Sequence, residues 1–153
     1  MILNPGVWSI SGSWRATTDS NLVHFTGECI VSDQQEDRYA LDIDAKTETS
    51  ARYEFGVWLA RNETGLYDMT IMGSQIDFIG TAKLDSIPHL ALLGDRDSTT
   101  QVAATLFTMP EVLGVRGFLR HGMEMYTFEI AIKPQHVEVK ADNIVQFRRR
   151  TNS

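Results

Sequence analysis

The strongest constraint in this chain is a two-residue alternation of apolar and polar side chains that recurs from end to end. A period of two is the signature of a strand with one face buried and one face wet. Residues 38–46 carry it most cleanly: Tyr39, Leu41, Ile43 and Ala45 oppose Arg38, Ala40, Asp42, Asp44 and Lys46. In 7–14, Trp8, Ile10, Gly12 and Trp14 share a face against Val7, Ser9, Ser11 and Ser13. In 22–31, Val23, Phe25, Gly27, Cys29 and Val31 oppose Leu22, His24, Thr26, Glu28 and Ile30. In 51–61, Tyr53, Phe55, Val57 and Leu59 oppose Arg52, Glu54, Gly56 and Trp58. The pattern continues through 65–73, 75–84, 112–120, 123–133 and 136–148, and 100–109 is an apolar stretch read as a further strand.

Turn-forming clusters separate these runs, among them Asn62-Glu63-Thr64-Gly65, Met72-Gly73-Ser74, His121-Gly122 and Lys133-Pro134. About ten short strands with short connections predict one all-β domain spanning 1–153, with sequential antiparallel pairing. A two-sheet sandwich would show the same alternation. The meander-like spacing favours an up-and-down antiparallel β-barrel of about 8–10 strands, because closure leaves no edge amide unpaired. The one helical candidate is a short turn at Ser86-Ile87-Pro88-His89-Leu90, and Pro88 argues against it.

The opening strand carries Ser11-Gly12-Ser13-Trp14, and the chain ends near Arg148-Arg149-Arg150. A Gly-x-Trp on the first strand with an Arg late in the chain resembles the calycins, the superfamily of lipocalins, fatty-acid-binding proteins and avidins. Thr26-Gly27-Glu28 resembles an avidin-type second strand. The resemblance implies an up-and-down barrel with an apolar cup, a Trp14 that closes one end and an arginine stacked on it. It names no ligand. A later lipocalin-type Thr-Asp-Tyr motif is absent, Tyr67-Asp68 being the nearest match, and three tryptophans are too few for an avidin biotin site.

Composition narrows the function. Fourteen Lys and Arg against twenty Asp and Glu give a net charge of −6, which opposes nucleic-acid binding. No run reaches the length of a membrane helix, and Met1–Gly6 has no basic, apolar leader, so the expectation is a cytoplasmic protein without membrane insertion. A single cysteine, Cys29, allows no internal disulfide. It sits on an apolar face, with His24 on the opposite one, and reads as a small buried hydrophobe rather than a nucleophile. His24, His89, His121 and His136 lack metal-ligand spacing, so neither metal nor cofactor is expected. Asp42/Asp44 read as a solvated strand face and Asp95/Asp97 as a turn without the Gly and Glu of a calcium loop.

The remaining signal is aromatic. Trp14, Phe25, Tyr39, Tyr53, Phe55, Phe78, Tyr126 and Phe128 all fall on predicted inner faces, and Phe107 extends the set. They are either core or the wall of a pocket for a small apolar or amphipathic molecule, with tyrosine hydroxyls orienting its polar end. Small inward residues, Gly12, Gly27, Gly80, Ala82 and Gly117, are expected to leave the interior roomy. Arg116 and Arg120 are expected on the exterior. Two other readings stand beside ligand binding. One is an isomerase or hydrolase acting on a hydrophobic substrate, for which His89 and Glu129 or Asp77 are available but in outward registers. The other is an acidic interaction or inhibitor module using Asp42, Asp44 and Glu54. Exposed faces carrying Leu22 or Ile79 could also pair two copies as a homodimer.

Overall fold

The computed structural model describes residues 3–135. Ten antiparallel strands follow in order: β1 (Gly6–Arg15), β2 (Val23–Gln35), β3 (Arg38–Thr47), β4 (Arg52–Arg61), β5 (Tyr67–Gly73), β6 (Asp77–Lys83), β7 (His89–Gly94), β8 (Thr100–Met109), β9 (Val112–His121) and β10 (Glu124–Pro134). Each pairs with its sequence neighbours, and β10 returns to β1, closing the barrel. A sandwich is thereby excluded, and no helix occurs among the described residues. No helix there is long and apolar enough to cross a membrane.

Register fixes which side chains share a face, because directly opposed residues point the same way. One row runs Trp14, Phe128, Gly117, Ala104, Ala91, Ala82 and Tyr67 across seven strands. A second runs Val31, Leu41, Val57, Ile71 and Phe78. Both rows face the interior, where the buried residues Cys29, Val31, Leu41, Val57, Tyr67, Ala82 and Ala91 form one cluster. The intervening positions, such as Asp42, Asp44, Glu54 and Arg116, face outward.

One of the ten strands was hidden in the sequence. Residues 89–94 form β7 rather than the end of a helical turn, and Ile87–Pro88 is a cis peptide in the loop before it. The predicted strand over 136–148 lies outside the described residues, as do His136 and the Arg148–Arg150 run expected to stack on Trp14. The β2–β3 connection is a two-residue hairpin turn. β2 continues to Gln35 through a bulge between Asp33 and Gln35, and Glu36 and Asp37 sit at φ 47° and 59°. Two central residues in the left-handed region make the twisted hairpin turn that matches strand coiling.

The two ends of the barrel differ. At the end holding the β2–β3, β4–β5 and β6–β7 loops, Leu3 enters the core beside Val31, Leu41, Leu59, Tyr67 and Leu84. The Trp8 indole donates to the Asn4 carbonyl at 3.0 Å and fixes this N-terminal segment in place. Tyr67 donates its hydroxyl to Asp85 at 2.9 Å, and Arg61 pairs with the same carboxylate at 3.0 Å. At the opposite end Ala45, Thr47 and Leu93 are buried, but the inward Val23, Phe25, Phe55, Ile71 and Phe78 are only half-buried.

Candidate functional site

Seven of the eight aromatic residues singled out in the sequence meet in the less packed half of the barrel. Trp14 opposes Phe128 and Val23; Phe25 opposes Gly12 and Thr47; Tyr53 opposes Ala45; Phe55 opposes Gly73; and Phe78 opposes Ile71. Tyr126 opposes Leu119, and its ring meets the Trp14 indole edge to face, 5.9 Å between centroids. Trp14, Phe25, Phe55, Phe78, Tyr126 and Phe128 are half-buried, and Tyr53 is 37% exposed. Such partial exposure of large rings on an inner wall is unfavourable at roughly 25 cal/mol per Å² of apolar surface.

Tyr39 is not brought to them. It lies at the packed end, 6.4 Å from Tyr67 in a tilted ring pair. Phe107 is also elsewhere: it opposes Gly114 on the outer wall, where the Arg116 guanidinium stacks over its ring at 5.3 Å. Val102, Ala103 and Ala104 are apolar in succession, as are Leu106 and Phe107, so alternation could not fix the face of this ring.

The interior is less roomy than its glycines suggested. A Cβ at Gly12 would collide with the Phe25 ring, and one at Gly117 with the Phe128 ring. At Gly27 and Gly80 the carbonyls of Asp44 and Leu92 occupy that space. These glycines admit aromatic rings and let adjacent strands coil tightly, as barrel closure requires. Space for a ligand is therefore set by the seven rings and not by empty positions opposite glycine.

Polar groups line the mouth. Thr100 and His121 share the inner face, and the Thr100 hydroxyl bonds His121 Nδ1 at 2.7 Å. Glu124 opposes His121, and Tyr126 donates to Glu124 Oε2 at 2.7 Å. That bond holds the Tyr126 hydroxyl above its ordinary pKa, with lesser contributions from desolvation and the carboxylate charge. From the sequence His121 is weighed only as a metal ligand and as part of the His121–Gly122 turn, and Thr100 and Glu124 carry no signal of a site.

The groups that the sequence offered for catalysis, Cys29, His89, Glu129 and Asp77, lie on different strands and are not brought together. Cys29 is 0% exposed, and burial with the Asp42 charge pushes its thiol up to about 11, so it is a poor nucleophile. His89 faces inward, contrary to the outward register assigned from sequence. It opposes Leu106, and its Nδ1 is buried without a hydrogen-bond partner. Glu129 and Asp77 face outward and pair with Arg116 and Arg96. No group of three His, Cys, Asp or Glu side chains is placed to hold a metal among the described residues. Asp95 is a turn residue whose carboxylate accepts the Thr100 amide at 3.0 Å. Two shallow concavities mark the outer wall: one of about 440 Å³ between Thr26, Phe107, Arg116 and Glu129, and one of about 360 Å³ beside Asp42, Asp44 and Glu54.

No family model matches the chain, and no curated protein does. Among solved structures it is similar to a de novo designed fluorescence-activating β-barrel, at 13% identity and TM-score 0.45, over 86% of this chain and 94% of that one. It is also similar to a redesigned β-barrel, mFAP0, bound to DFHBI, at 7% identity and TM-score 0.47, over 84% and 96% of the two chains. At TM-scores below 0.5 neither likeness carries an inference about function.

Proposed function

We propose that this barrel binds a small apolar or amphipathic molecule at its aromatic end, without chemistry. One observation carries the reading. Seven inward rings at one end keep solvent exposure, while the other end is filled by Leu3 and its neighbours. A ligand seated against Trp14, Tyr53, Phe78 and Phe128 would remove that apolar surface from water. Thr100, His121 and the Tyr126–Glu124 pair would meet its polar end at the mouth. Cys29, His89, Glu129 and Asp77, the groups the sequence offered for catalysis, stand on different strands, which favours binding over catalysis.

The test is a fluorescence titration with an apolar naphthalene sulfonate probe, alongside mass analysis of an organic extract of the purified protein. Saturable binding is expected. Phe78→Ala and Tyr53→Ala should each weaken it about tenfold, equivalent to about 1.4 kcal/mol, with the strand signal in circular dichroism unchanged. Absence of saturable binding would overturn the proposal. So would binding untouched by these variants but lost on changing Leu92 on the outer wall.

A further inference from the structure

We infer that the outer wall formed by β6, β7, β8 and β9 is a self-association surface, taking a second copy of this chain about a twofold axis that runs along β7 and β8. β7 supplies the first reason. Its residues Leu90-Ala91-Leu92-Leu93 are apolar on both faces, the composition of a strand covered on both sides. The inner face is covered by the core, but Leu92 is 66% exposed outside. Leu92 lies in one outward row with Thr81, Ala103 and Phe118. Leu90 and the 49%-exposed Ile79 flank that row. Lys83, beside Leu90, turns its ammonium group onto the Ser86 and Pro88 carbonyls, away from this centre.

Charge placement supplies the second reason, and it selects the partner. The acids Glu28, Asp42, Asp44 and Glu54 lie on β2–β4, directly across the barrel from β8 in the strand order. Two copies joined through β6–β9 keep these acidic walls far apart, which a chain of net charge −6 needs in order to self-associate. The rim of the neutral wall is also two-signed. Asp68 and Asp77 stand on the β5–β6 flank, and Arg116 and Arg120 on the β9 flank. Arg116 is already paired with Glu129, whereas Arg120 and Asp68 bond only the neutral amides of Gln101 and Asn62, and Asp77 reaches Arg96 only at 3.8 Å. A twofold axis along the strands turns each acidic flank onto the partner's basic flank, the isologous arrangement of a closed dimer. Four strands spaced ~4.8 Å apart and at least ~20 Å long supply the apolar centre of an interface burying ~800 Å² per partner, with these charges as its rim.

Sedimentation equilibrium at tens of micromolar tests this without reference to any ligand. The full chain is expected at twice 17.2 kDa. Leu92→Glu should give a folded monomer, while Ile30→Glu on the opposite wall leaves the dimer intact. Arg120→Glu should raise the dimer dissociation constant about tenfold, and Arg120→Glu with Asp77→Arg should restore it. A wild-type chain at 17.2 kDa throughout, or a dimer that survives Leu92→Glu, overturns the inference. Monomeric Leu92→Glu should still bind the probe at the aromatic end, so failure of one proposal is separable from failure of the other.

Discussion

The Tyr67 hydroxyl donates to Asp85 at 2.9 Å, joining the start of β5 to the loop after β6 where the barrel is packed most tightly. Tyr67 is buried, and desolvation first, then the bond to Asp85 and the charges of Asp85, Tyr39 and Asp37, push its pKa from 10.0 up to about 12. The folded chain thus keeps a proton that the unfolded chain gives up near pH 10. The stabilisation is whole below pH 10 and disappears as pH rises to 12. Cys29 acts in the same direction from pH 9 to about 11. Urea midpoints measured from pH 8 to 12 should fall steeply across this window, and less steeply in Tyr67→Phe. At neutral pH the same variant should lower Tm by about 3 °C, the effect of one lost hydrogen bond in a chain this size.

Asp85 contributes to the acid limb. The Tyr67 hydroxyl, and then Arg61, hold its carboxyl below the ordinary value of 3.8. Its stabilisation is present above pH 3.8 and is lost as pH falls through the lower folded value. Tyr67→Phe should therefore shift the acid unfolding midpoint to higher pH, readable by tryptophan emission against pH.

Cys29 is fully buried, and its thiol stays protonated until pH is well above 9. The native protein at pH 8 should react with an aromatic disulfide reagent only as fast as it unfolds, and completely in denaturant. Rapid stoichiometric reaction of the native chain would contradict this packing.

The alternation made most of the barrel legible, because a strand with one wet face advertises its period directly. Residues 38–46 illustrate this, since each inward position predicted there is inward in β3. The strand β7 was illegible for the opposite reason. With Leu90 and Leu92 outside and Ala91 and Leu93 inside, it has no period to read. The site was partly legible. Aromatic type and face were visible at Trp14 and Phe128, but the end of the barrel that each ring occupies depends on shear, which no local pattern encodes. Tyr39 shows the consequence: its face was readable, yet it belongs to the packed end with Tyr67. The misreading of Gly12 and Gly117 as empty space has a related cause, because a cross-strand ring fills a glycine only once register is known.

That ring-on-glycine packing can be measured. At Gly117 a methyl group would meet the Phe128 ring and the Ala103 carbonyl together, and a backbone oxygen cannot swing aside as a side chain can. Gly117→Ala should destabilise the barrel by about 1–3 kcal/mol, as overpacking does. The urea midpoint should fall with the m-value unchanged. It should also push the Phe128 ring toward the mouth and weaken probe binding at the aromatic end.

The hairpin between β2 and β3 offers a change of the opposite sign. Glu36 and Asp37 hold φ values of 47° and 59°, a region that disfavours side chains with a Cβ by about 1–2 kcal/mol per residue. Asn-Gly suits this turn best. The Asp37 carboxylate reaches Arg61 only at 3.9 Å with both groups well exposed, so its removal forfeits little. The Asp37 carbonyl still accepts the Arg61 amide at 3.1 Å, a bond that the backbone of glycine retains. Glycine costs some unfolded-state entropy, which offsets part of the relief. Replacing Glu36-Asp37 by Asn-Gly should leave a net gain of about 1 kcal/mol, or roughly 2–4 °C in Tm. Calorimetry of the double variant reads this directly, and a loss of Tm would mean that the strand register, rather than the turn, dictates these two conformations.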